Sequence, residues 1–116
     1  MVAKYTPKYT QEQREQVYKM CIEAYGEAAQ TDMAVEEMSE LIKALMKIRR
    51  ATDLSRPTAR EDIIDEIADV TIMTRQLEMI YKCKDEVKER IDYKIFRQID
   101  RLAEYDRATG NKKLWK

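Results

Sequence analysis

The sequence predicts an all-α fold, a four-helix-bundle-like subunit, on three observations. Only two glycines and two prolines interrupt 116 residues, too few to supply the turns of a many-stranded β-fold. Apolar residues recur at three- and four-residue spacing in four separate stretches, the signature of amphipathic helices. The hydrophobic share, 44%, is too high for a disordered chain and suits one core without a second domain, so residues 1–116 are read as a single unit.

The first helix is expected from Gln11 to Ala29 behind Thr10 as N-cap, with Val17, Cys21, Ala24, Tyr25 and Ala28 on one face. The second is expected from Asp32 to Ala51, carrying Val35, Met38, Leu41, Ile42, Leu45 and Met46 at helical spacing. Residues 52–57 read as a linker. Thr58 and Glu61 form a capping-box pattern that would open the third helix, which then extends to Lys82. Its apolar residues, Ile63, Ile64, Ile67, Val70, Ile72, Met73, Leu77 and Ile80 among them, spread nearly all round the cylinder. That marks it as the central helix and predicts contact with a second subunit, hence a homodimer or homotetramer. The fourth helix is expected from Asp85 to Arg107 with Val87, Ile91, Ile95, Ile99 and Leu102 as its apolar stripe. The first nine residues, and the tail from about 109 that carries Trp115, are expected to be flexible.

The chain has no histidine. That excludes imidazole-based zinc sites and Ser-His-Asp or Cys-His catalysis, and leaves Asp and Glu as the strong bases and hard-metal ligands. Cys21 and Cys83 sit in apolar helical patterns and are expected to be free, buried thiols in a reducing cytosol. No apolar run is long enough to cross a membrane and the polar N-terminus lacks a signal-peptide core, so a cytoplasmic location is expected. Lys plus Arg equals Asp plus Glu at 22 each. Such a balance gives no general attraction to nucleic acid or to an anionic membrane.

The neutral total hides segregation. Residues 31–42 contain Asp32, Glu36, Glu37 and Glu40, and residues 61–69 contain Glu61, Asp62, Asp65, Glu66 and Asp69, without a basic residue until Lys43 and Arg75 respectively. Glu37 and Glu40 lie one turn apart at the border of an apolar face, while Glu66 and Asp69 share an angular sector with Met73, Leu77 and Ile80. Converging carboxylates must take up protons, pair with Lys or Arg, or bind a cation. Mg²⁺, which takes hard oxygen ligands and shares its sphere with phosphates, is the cation expected, with Mn²⁺ as a substitute. On the fourth helix, Arg90, Lys94, Arg97 and Arg101 form one basic stripe that could serve phosphate oxygens.

The segments AVEEMSELIKALMK (34–47) and EDIIDEIADVTIMTRQL (61–77) resemble the MazG-like family of all-α nucleoside triphosphate pyrophosphatases, whose signature is E-E-x-x-E followed by E-x-x-D. The resemblance implies Mg²⁺-dependent hydrolysis of a nucleotide between its α and β phosphates, giving a nucleoside monophosphate and pyrophosphate. Carried over by position, Glu37, Glu40, Glu66 and Asp69 match the metal ligands, and Glu36 the acid that opens the first motif. Glu36 and Glu40 are the candidate general bases. More loosely, Gln30 resembles a glutamine ahead of this helix in small members, and Lys94, Arg97 and Arg101 resemble their basic run; these four are the expected substrate-binding residues. Two other readings stay open: a non-catalytic, self-associating helical interaction module, and the same fold acting on dUTP, dCTP or a phosphoribosyl-nucleotide.

Overall fold

A computed structural model describes residues 5–110, and every helix predicted from the sequence is present there: α1 (Gln11–Tyr25), α2 (Glu27–Arg49), α3 (Arg56–Ile80) and α4 (Lys84–Thr109). No strand occurs among the described residues. The chain divides into two units, residues 1–82 and residues 83–116. The first four residues and the tail with Trp115, both expected to be flexible, lie outside the described residues. No described helix is long and apolar enough to cross a membrane.

In the first unit, Thr10 caps α1 as expected. The Gln13 N–H donates to Thr10 Oγ1 at 3.1 Å and the Thr10 N–H donates to Gln13 Oε1 at 2.8 Å, so two end groups are satisfied reciprocally. The helix ends at Tyr25 and not at Ala29, because Gly26 takes φ 94°, outside the helical range. The chain re-enters a helix at Glu27, which gives α2 the residues Ala28, Ala29 and Gln30. The third helix likewise starts two residues before the expected Thr58. Pro57 sits in its first turn, where a missing N–H costs nothing. Ahead of it, a Thr52–Ser55 turn is held by the Thr52 N–H donating to Ser55 Oγ at 2.9 Å.

Helix α3 packs against both α1 and α2 and is the centre of this unit. Helices α2 and α3 run antiparallel: Gln30 meets Gln76, Glu37 meets Asp69 and Glu66, and Lys47 Nζ lies 4.0 Å from Asp62. The residues of α2 turned inward are Gln30, Ala34 and Ala44, with Leu41 and Ile48 half-buried. The face expected from the larger apolar residues points elsewhere. Val35, Met38, Ile42, Leu45 and Met46 remain exposed, about a quarter-turn round the helix. Alanine at the α2–α3 contact lets the backbones approach, and the bulkier sector stays exposed. The wide apolar coverage of α3 has the same outcome, with Met73 buried but Ile64, Ile67 and Ile72 exposed.

In the second unit, α4 is one long helix whose backbone ends at Gly110 in the left-handed conformation. Val87, Ile99 and Leu102 of its apolar stripe are half-buried, whereas Ile91 and Ile95 are exposed. Both cysteines are free, and both are half-buried where full burial was expected.

Candidate metal centre on the α2–α3 seam

Because α2 and α3 are antiparallel, the residue that follows the inner face of one helix meets the residue that precedes it on the other. The acidic pairs therefore fall side by side. One carboxylate oxygen from each of Glu37, Glu66 and Asp69 lies within 4.8 Å of the others. Glu37 and Glu66 are half-buried and Asp69 is exposed, so the group opens to solvent on one side.

The electrostatics follow from this crowding. Burial raises the Glu37 carboxyl above the ordinary 4.5, and the charges of Asp69 and Glu66 raise it further. A proton held on Glu37 can be donated to Asp69 or to Glu66. Burial likewise raises Glu66, followed by the charges of Asp69 and Glu40, with the hydrogen bond from Glu37 acting the other way. One oxygen, Glu66 Oε2, is fully enclosed and has no hydrogen-bond partner. A buried acceptor in that condition is open to a water, a proton or a cation. Three convergent oxygens of hard donor type fit a small divalent cation, which keeps its remaining positions for water or phosphate.

Glu40 stands at the margin. It is half-buried, close enough to Glu66 to raise its pKa, and its Oε1 accepts from Lys43 Nζ at 3.5 Å. Glu36 is exposed and contributes its charge to Glu37 from outside. Thus the structure brings together Glu37, Glu66 and Asp69 of the four expected ligands, with Glu40 beside them.

Gln30 is buried two turns before Glu37, and its Nε2–H donates to Gln76 Oε1 at 2.7 Å. Gln76, two turns beyond Asp69, is 2% exposed and was not singled out by sequence. Neutral glutamine inside a helix carries no signal of its own; only its seven-residue offset from Asp69, mirroring that of Gln30 from Glu37, could have pointed to it. Glu78 was also missed. It is buried, and Arg75 Nη1 donates to its Oε2 at 3.1 Å. Lys94, Arg97 and Arg101 are exposed on α4 of the second unit, where the Arg97 guanidinium lies 5.8 Å from the centre of the Tyr93 ring.

No family model matches the chain, nor does any curated protein or solved structure.

Proposed function

We propose that the chain is a Mg²⁺-dependent nucleoside triphosphate pyrophosphohydrolase that cleaves a (d)NTP between the α and β phosphates to a (d)NMP and pyrophosphate. The convergence of Glu37, Glu66 and Asp69, with one enclosed oxygen lacking any partner, is the observation that carries this reading. Those three residues and Glu40 are the proposed ligands. A divalent cation held there supplies neutralisation of phosphate charge and acidification of water.

The chain's own groups do the rest. Burial and the neighbouring charges raise the pKa of Glu37 and of Glu66, so a cation bound there would compete with protons for the same oxygens. Glu40, half-buried and beside Glu66, is the proposed proton acceptor at its Oε atoms, with exposed Glu36 as the other candidate. Lys94, Arg97 and Arg101 are the proposed donors to phosphate oxygens, with the fork geometry of Arg suited to that task.

The exposed stripe Val35, Met38, Ile42 and Leu45 follows three-four-three spacing, the pattern of a helix–helix seam. It supports association with a second copy as a homodimer or homotetramer. Light scattering that gives a stable monomer overturns this part of the proposal.

Pyrophosphate release from a panel of ribo- and deoxynucleoside triphosphates, with and without Mg²⁺, tests the reaction. Release that requires the metal and disappears when Glu37, Glu40, Glu66 and Asp69 are all changed to amides is the expected result. Metal-independent release, or none from any nucleotide, overturns it and leaves the interaction-module reading.

A further inference from the structure

The α2–α3 seam is polar along much of its length, and its parts are spaced regularly. Gln30 and Glu37 lie two turns apart on α2, as do Asp69 and Gln76 on α3, a separation of about 10 Å along each axis. Between the two polar layers sit buried Ala34 and Met73. The helices could slide on such a surface. Alanine makes shallow knobs, so the apolar part of the seam says little about which turn meets which. The acidic layer opposes its own assembly, because three carboxylates repel. A slip of one turn in one direction would set Glu37 opposite Met73, and in the other opposite exposed Asp65. The first slip disperses the cluster; the second breaks its present membership and sets Glu37 among other acids.

The glutamine layer has the opposite character. Its donor and acceptor are complementary, 2.7 Å apart, and are 7% and 2% exposed. Sliding by a turn would strip a buried amide of its partner. A directional bond in an otherwise permissive helix pair is the device that fixes register in coiled coils.

We propose that Gln30 and Gln76 are positioning residues: their buried hydrogen bond locks the α2–α3 register that makes Glu37, Glu66 and Asp69 converge. This role rests on reading the cluster as a cation site. It assigns the two amides no contact with the cation, which they would influence only through the helices that carry its ligands.

The experiment is calorimetric Mg²⁺ titration of the full chain, paired with thermal melts in the absence of metal. Q30L/Q76L replaces the bond by apolar contact and should melt at or above the wild-type temperature. Its Mg²⁺ affinity should nevertheless fall about tenfold or more, as when an outer partner of a metal ligand is lost. Q76E presents an oxygen to Gln30 Nε2 as before and should stay within about threefold of wild type, below that range. If the double variant does not fold, Q76N serves, since it keeps polarity but withdraws the acceptor by one methylene; it too should lose about tenfold. Wild-type affinity in a folded Q30L/Q76L or in Q76N overturns the positioning role. A wild type that binds no Mg²⁺ sinks the cation reading itself, and the role with it, before any variant is compared.

Discussion

Two layers of one helix pair make opposite uses of buried polarity. At the Gln30–Gln76 layer, donor faces acceptor: the Gln30 Nε2–H finds its match in Gln76 Oε1. Two turns away, Glu37, Glu66 and Asp69 offer acceptors only, and Glu66 Oε2 is enclosed without a partner. The first layer is complementary as folded. The second leaves an acceptor for a water, a proton or a cation to fill, and it is this open valence on which the proposed cation site rests.

The largest expected effect comes from breaking the acidic layer. Glu66→Gln removes the enclosed charge and one ligand oxygen together. Pyrophosphate release should fall at least about a hundredfold, the upper end of what outer-shell losses cost, while the metal-free protein melts higher than wild type because a repelling carboxylate is gone. Loss of activity together with loss of stability would assign Glu66 to the packing of α3 and not to a site.

Next comes the complementary layer. Gln76→Leu alone leaves the Gln30 amide buried and unmatched, which should cost about 1–3 kcal/mol in a denaturant melt. Adding Gln30→Leu should recover that cost in full. An equally large cost in the double variant would mean that shape, and not the bond, is what the seam requires.

The acidic layer also sets a pH dependence. Glu37 and Glu66 titrate higher in the fold than the ordinary 4.5 of an unfolded carboxyl, so between these values the folded state holds more protons than the unfolded one. Stability is therefore greatest below about 4.5 as far as these two groups are concerned, and declines as pH rises through their folded values. Thermal melts of metal-free protein should show this decline, and saturating Mg²⁺ should remove it. A metal-free melt that is flat above pH 4.5 would deny that the two acids crowd each other.

The sequence made one of these layers visible and concealed the other. Glu37, Glu66 and Asp69 stood out as acids at one-turn spacing in blocks lacking Lys and Arg, and charge segregation of that kind survives any error in helix boundaries. Gln30 was noticed for its position, but its partner Gln76 lies 46 residues away in the chain and only the fold joins them. The inner face of α2 was misjudged for a related reason. Periodicity locates apolar sectors without ranking them, and α3 took the narrow sector of Ala34 and Ala44 over the broader one of Val35, Met38, Ile42 and Leu45. Helix ends were displaced where backbone conformation overruled side-chain pattern, at Gly26 and ahead of Pro57.

The smallest effect sharpens the comparison by lying outside both layers. Lys82 follows α3 with φ 52°, a left-handed backbone that costs a residue with a Cβ roughly 1–2 kcal/mol. Glycine relieves that strain but adds freedom to the unfolded chain, so Lys82→Gly should stabilise by about 0.5–1 kcal/mol. Mg²⁺ affinity should not change, because Lys82 belongs to neither polar layer. If the variant altered metal affinity while raising stability, the cluster would be responding to general tightening of the fold, and the separate roles assigned to the two layers would have to be merged into one.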